Sequence, residues 1–238
     1  MDFSHYYRPR TKETVDADRA KINSRFQELV REGLATTFRL STYYKGLPIS
    51  YPATIDDFGF GVLNLEVHQQ QAVALDAARR AFITCDQFDC SLLCDVVNVD
   101  VRRRSAALKN FSFVDVMAER RESLRLQLEP RTPAEILGAW ERSGELSDIS
   151  LGGCCIRTER HIRLQRGSEY KLRLKIPNLL QNTLQNIEIA ARLLDVTSNL
   201  ENDICSFVFC SDGSEETVIS RYTFQRQVEI VRELKDAS

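Results

Sequence analysis

The chain has 238 residues, with 32 Lys and Arg against 34 Asp and Glu and a formal net charge of −2. An apolar fraction of 43% with 28% charged residues suits one large folded domain or two small ones, and the charge balance excludes a globally basic nucleic-acid binder. No apolar run reaches the length of a membrane-spanning helix, and the polar start Met1-Asp2-Phe3-Ser4 has no signal-peptide core, so a cytoplasmic protein without membrane insertion is expected.

In chain order, the first ten residues read as mobile. Residues 16–32 read as a helix, because Ile22, Phe26, Leu29 and Val30 recur at helical spacing and Gly33 suits the stop. Residues 36–44 and 49–55 are rich in β-branched and aromatic side chains around a Lys45-Gly46 turn, which predicts a hairpin. Strands follow at 62–67, 81–84, 91–100 and 106–116, with a short helix at 70–78. Residues 114–120 read as a linker. The second half reads as strands at 126–128, 156–164, 170–176, 185–196 and 203–210, with Gly167 and Pro177 as punctuation. A helix over 214–235 ends the pattern, with Ile219, Tyr222, Val228, Val231 and Leu234 on one face. Thr132-Pro133-Ala134-Glu135 has the form of a helix start. The same stretch also fits a strand that turns at Ser143-Gly144 and returns over 145–150. The only tryptophan, Trp140, reads as a packing residue.

Seven cysteines, an odd number, argue against a disulfide framework. Cys90 and Cys94 lack a nearby His, so no metal site is expected and buried free thiols are. Of Cys154 and Cys155, one should face the core and the other the opposite side of a strand.

Two motifs carry chemistry. Arg120-Arg121-Glu122-Ser123-Leu124-Arg125 clusters guanidinium groups, which grip phosphate bidentately, stack on rings and match the O6 and N7 acceptors of guanine. Asp148-Ile149-Ser150-Leu151-Gly152-Gly153 supplies a carboxylate for the N1–H and N2–H edge of guanine, a hydroxyl, and glycines that admit close backbone approach. Together they suit a ligand bearing both phosphate and guanine. Each charge-assisted hydrogen bond contributes about 1.5–3 kcal/mol.

Arg121-x-x-x-Arg125 followed by Asp148-x-Ser150-x-x-Gly153 resembles the signature of PilZ domains, which bind the bacterial second messenger cyclic di-GMP. The resemblance implies that Arg121 and Arg125 contact the ligand's phosphate and guanine edges, that Asp148 and Ser150 hydrogen-bond a guanine, and that Gly153 keeps the backbone clear of the ligand. Arg120, just before the motif, points to a stacked pair of ligand molecules. The resemblance also decides residues 132–140 for strand over helix. A first β module without the motif, a linker bearing it and a second β module is the layout of YcgR-type proteins. The expected fold is therefore mostly β: two PilZ-like β-barrel modules in tandem, over residues 1–116 and 117–238, with an N-terminal and a C-terminal helix, the latter covering the second barrel. The implied function is that of a cyclic di-GMP receptor and not an enzyme, with no other cofactor, in which the ligand latches linker to barrel and changes the angle between modules. The implied partner is a flagellar motor component, with recruitment to the flagellar basal body.

Three rival readings stand beside it. A PilZ-like interaction module acting without ligand would serve adhesion or exopolysaccharide control. An enzyme has little support: there is no phosphate loop, nucleophile elbow or zinc-protease helix, although His161 lies close enough in sequence to Cys155 to activate it. RNA binding through Arg102-Arg103-Arg104 and Lys109 is weaker than the reading of that run as a solvated turn.

Overall fold

The computed structural model describes residues 3, 6–33, 37–118, 123–138, 141–210 and 213–237. Trp140 lies outside them. The chain divides into two compact units: Met1–Tyr44 and Pro48–Arg121 with Val231–Ser238, and Lys45–Leu47 with Glu122–Ile230.

The first unit contains β1 (Tyr7–Pro9), α1 (Val15–Arg31), β2 (Thr37–Tyr44), β3 (Leu47–Gly59), β4 (Val62–Glu66), α2 (Gln69–Ala78), β5 (Arg80–Thr84), β6 (Ser91–Asp100) and β7 (Ser105–Val116). Its sheet runs β1-β7-β4-β3-β2-β5-β6, and a further β6–β7 pairing joins the run into a ring. Helix α1 starts where Thr14 Oγ1 accepts from the Ala17 N–H at 3.1 Å, and it ends before Gly33 at φ +62°. Its Ile22, Phe26 and Leu29 are buried in the core of this unit, where Phe26 packs against Phe58 and Phe111.

Two expectations are corrected here. Residues 7–9, read as mobile, form β1, which pairs with Val114–Val116. Those three residues, read as the start of a linker, are the end of β7, because Val114 and Val116 alternate inward with Phe3 and Tyr6.

The second unit contains β8 (Leu126–Leu137), β9 (Arg142–Ser150), β10 (Gly153–Glu159), β11 (Glu169–Asn178), β12 (Thr183–Ser198) and β13 (Asn202–Phe209). They close a six-stranded barrel in the order β10-β13-β12-β11-β8-β9. Strict alternation drives the closure. Leu172, Leu174 and Ile176 of β11 and Ile187, Ile189 and Leu193 of β12 fill the interior. Arg173, on the outer face, reaches Glu135 at 2.6 Å and Glu188 at 2.9 Å. The last helix, α3 (Ser214–Asp236), buries Ile219 and Tyr222 in the barrel's apolar cluster. The fold is thus mostly β with helices at both ends of the chain, as expected; of the two expected barrels the second unit is a closed six-stranded barrel, and the first is a seven-stranded sheet with a further β6–β7 pairing.

The helix start at Thr132 is overridden, and residues 126–137 form one continuous strand. Ser143-Gly144 is not a turn but lies inside β9. Gly144 is there for space: a Cβ would sit 2.5 Å from the Arg157 carbonyl oxygen on β10. Strand β10 begins at Gly153, three residues earlier than its apolar run suggests. Pro177 does not end β11, which pairs through to Asn178. On α3, Val228 and Val231 lie outward, 37% and 38% exposed, while the buried face carries Ile219, Tyr222, Ile230 and Leu234.

One ionisable group ties loop to barrel. Asp203 is buried, and its Oδ2 accepts the Ile162 N–H at 2.9 Å. A hydrogen bond from Ser198 first, then that from Ile162, holds its carboxyl below the usual carboxylate range. A depressed folded-state value means stability that is present above the unfolded carboxyl's value, about 4, and is lost as pH falls through the folded one. Asp203→Asn should lower stability at pH 7 by about 2 kcal/mol, and the gap to wild type should shrink by pH 3. Urea midpoints at the two pH values check this; a gap that stays constant refutes it.

Candidate functional site

The site is built on one edge of the barrel. Leu126 and Leu128 are buried and Gln127 is half-buried, so β8 enters with its apolar side inward immediately after Arg125. On the neighbouring strand Leu146 and Ile149 face the core. Pairing of Leu126 with Ile149 and of Gln127 with Asp148 fixes the register. Arg125 directly precedes β8, next to the Leu126–Ile149 pair. Across antiparallel pairs the Cα separation is about 5 Å. The second motif forms a hairpin in which Ser150 pairs with Gly153 and Asp148 with Cys155 around the Leu151-Gly152 turn.

Three glycine and serine roles follow from geometry. Ser150 is buried and its hydroxyl donates to the Gly153 carbonyl at 3.1 Å, which closes the hairpin. Gly153 is required by packing, since a Cβ there would lie 2.1 Å from the Phe207 carbonyl oxygen on β13. The carbonyl of Gly152 accepts the Phe209 N–H at 3.0 Å. A Cβ on Gly152 would be 3.9 Å from the Ser123 hydroxyl, so Ser123 lies against the glycine turn.

Electrostatics agree with this placement. The Cys155 thiol is pushed up to about 12 by burial first and then by the Asp148 carboxylate beside it, with the Ser206 hydroxyl and the Arg125 guanidinium opposing. Cys154, which faces the apolar interior, is also raised by burial, and Arg125 again opposes. Arg125 and Asp148 therefore act on the same two thiols. The division of Cys154 and Cys155 between core and outer side holds, although Cys155 is itself buried, with Ser206 Oγ at 3.4 Å. A thiol raised this far is a poor nucleophile. His161 sits beside Asp203, not Cys155, so that proposed cysteine–histidine pair is not formed.

The structure thus brings Arg125, Asp148, Ser150 and Gly153 together. Arg120 and Arg121 lie outside the described residues. Sequence reasoning missed Ser123, Gln127 and Ser206 as neighbours. Gln127 was findable, because alternation after Leu126 turns it to the same side as its partner Asp148. Ser206 was not, because the β10–β13 pairing is long-range. A second groove of about 530 Å³ is lined by Arg131, Gly144, Arg157 and Asn202 among others. Its arginines are engaged internally, Arg131 with Glu145 at 3.3 Å and Arg157 with Asn202. Arg103 in the three-arginine run bonds back to Asp100 at 2.9 Å, as a solvated turn does.

Comparison with known proteins gives a match to the PilZ domain family over residues 119–225. No curated protein sequence matches the chain. Among solved structures, YcgR in complex with c-di-GMP from Escherichia coli is 16% identical, with full coverage of both chains and a TM-score of 0.44. The K. pneumonia MrkH–c-di-GMP complex is 15% identical over 90% of this chain and 96% of that one, with a TM-score of 0.45. The Bacillus subtilis inhibitor of motility MotI is 12% identical over 82% and 97%, with a TM-score of 0.44.

Proposed function

We infer that this chain, whose residues 119–225 are a PilZ domain, is a cyclic di-GMP receptor that acts by binding rather than by catalysis. The observation that supports the reading is the register of β8 on β9, in which Leu126 pairs with Ile149 and Gln127 with Asp148, so that Arg125, the residue before β8, would come near Ser150 and Asp148. A guanidinium and a carboxylate at that separation address opposite needs of one ligand, phosphate or the Hoogsteen edge for the first and the N1–H, N2–H edge for the second. Arg120 and Arg121, next along the chain, would add further guanidinium contacts and favour a stacked ligand pair. Ser150 would offer its remaining lone pair to guanine while still closing the hairpin.

The compact units divide between Arg121 and Glu122, inside the arginine motif. A ligand gripped by arginines on both sides of that point restrains the chain there. Such restraint changes a partner-facing surface only if the ligand prefers one arrangement over another. The output we propose is regulation of a protein partner in motility, a flagellar motor component by analogy with the YcgR layout.

Isothermal titration with cyclic di-GMP, with GTP and cyclic AMP as controls, tests the binding. Arg121→Ala and Arg125→Ala should each weaken it roughly tenfold or more, about 1.5–3 kcal/mol, without unfolding the protein. Unchanged binding in both variants, or none in the wild type, overturns the assignment. Small-angle scattering with and without saturating ligand tests the restraint separately: identical curves remove the latch and leave the receptor.

A further inference from the structure

The Asp148 carboxylate has one neighbour on each side across the barrel strands: Cys155 on β10 and Gln127 on β8. Side chains directly opposite in an antiparallel pair stand on the same face, with Cβ atoms about 4.5–5.5 Å apart. The two neighbours differ in what they can offer. A thiol is a weak donor, and that of Cys155 is buried, with the Ser206 hydroxyl 3.4 Å away. A glutamine amide carries two full N–H donors and a carbonyl acceptor. Leu126 and Leu128 turn inward, so Gln127 turns outward, where it is half-buried. Its backbone N–H donates not to β9 but to the Lys45 carbonyl at 3.2 Å. Gln127 and Asp148 are therefore a pair of the kind that exchanges no backbone hydrogen bonds, in which side chains approach most closely.

We propose that Gln127 is a specificity-determining residue of the nucleotide site, its amide NH2 donating to O6 of the guanine whose N1–H and N2–H groups Asp148 takes. The contact rests on the cyclic di-GMP reading of this site and deepens it. The Watson–Crick edge of guanine runs donor, donor, acceptor, from N2–H through N1–H to O6. Its complement is acceptor, acceptor, donor, the pattern that cytosine presents. A carboxylate supplies acceptors and no donor, so Asp148 alone leaves O6 unread. The missing donor has to stand beside the carboxylate, within reach of a side chain. Of the two cross-strand neighbours of Asp148, Gln127 is the one that carries it. The carboxylate also orients the amide, drawing NH2 toward itself and turning the carbonyl away. O6 keeps a second lone pair toward the Hoogsteen edge, so an arginine on that edge does not compete. Adenine places an acceptor at N1, which the carboxylate repels. The pair thus selects guanine by complement and rejects adenine by mismatch.

The test titrates the full chain with two probes, cyclic di-GMP and its analogue with 6-thioguanine bases. In the analogue a sulfur, a poor acceptor, replaces O6, while the N1–H and N2–H donors remain. The wild type should bind cyclic di-GMP roughly fivefold or more tightly than the thio analogue. Gln127→Leu should weaken cyclic di-GMP by a similar factor and bind the two probes alike, because a donor and its acceptor are coupled only while both are present. A residue that merely holds β8 in place would weaken both probes and leave their ratio intact. That outcome overturns the proposal, as does equal binding of the probes by the wild type or an unchanged affinity for cyclic di-GMP in the variant. If Gln127→Leu fails to fold, Gln127→Glu keeps the shape of the side chain and sets an acceptor where the donor stood. It too should lose the preference, and a retained preference overturns the proposal equally. A wild type that binds neither probe removes the receptor reading and this contact with it. A wild type that binds, with an unchanged ratio in the variant, removes the contact and leaves the receptor.

Discussion

Gly153→Ala is expected to destabilise the barrel by about 3 kcal/mol or more, whereas Gly152→Ala, one residue away, is expected to be nearly neutral. The two glycines look equivalent in the sequence. At Gly153 a methyl group would lie 2.1 Å from the Phe207 carbonyl oxygen, 3.2 Å from its carbon and 3.2 Å from the Val208 Cα. All three are backbone atoms of β13, which pairs with β10 from Gly153 through Glu159. No side chain can swing away, so the strand pair must separate, and forced overpacking of that kind costs about 1–3 kcal/mol before pairing is lost. At Gly152 the nearest atom is the end of the Ser123 side chain at 3.9 Å, ordinary contact. Urea unfolding followed by far-ultraviolet circular dichroism measures both. Equal midpoints for the two variants would refute the packing account. The comparison also bears on the proposed function: loss of cyclic di-GMP binding in Gly153→Ala would report a damaged barrel, whereas loss in Gly152→Ala would report on the turn itself.

That contrast shows how far the sequence alone reaches. Where one residue type has one common use, reading succeeds: Gly33 ends α1, Lys45-Gly46 turns β2 into β3, and alternation in β11 and β12 gives both strands. Where one residue type has several uses, only the partner decides. Gly144 reads as a turn in the sequence and is a close-approach site against Arg157, because β9 and β10 pair as neighbouring antiparallel strands there. The Thr132-Pro133-Ala134-Glu135 start lost to tertiary context: Ala134 and Ile136 pack into the barrel core, and Ala134 pairs with Leu174 on β11. The α3 faces were misassigned because Val228 and Val231 were grouped with Tyr222, although six residues place Val228 well round the helix from it. Of the candidate site, the motif spacing made Arg125, Asp148, Ser150 and Gly153 legible. The Cys155 thiol, which pairs across from Asp148 and feels its carboxylate, was not, because nothing local sets the β9–β10 register past the bulge at Ser147.

Removing both carboxylates around Arg226 is expected to cost about 2 kcal/mol, and replacing Arg226 by methionine in that background to restore most of it. Arg226 is the charged residue that α3 buries against the barrel, its side chain only 5% exposed. Its guanidinium contacts Glu229 one turn along and lies 4.0 Å from Glu129 on β8. Its charge also opposes the burial that pushes the Tyr222 phenol up to about 12. A buried cation that loses these two carboxylates is costlier than an apolar side chain of similar volume in the same place, so the order of stabilities should be wild type, then triple variant, then Glu129→Gln with Glu229→Gln. Half-exposed glutamates make the loss smaller than the 3–5 kcal/mol of a fully buried pair. Urea midpoints give the order, and a triple variant no more stable than the double would show that Arg226 is held by something other than these charges.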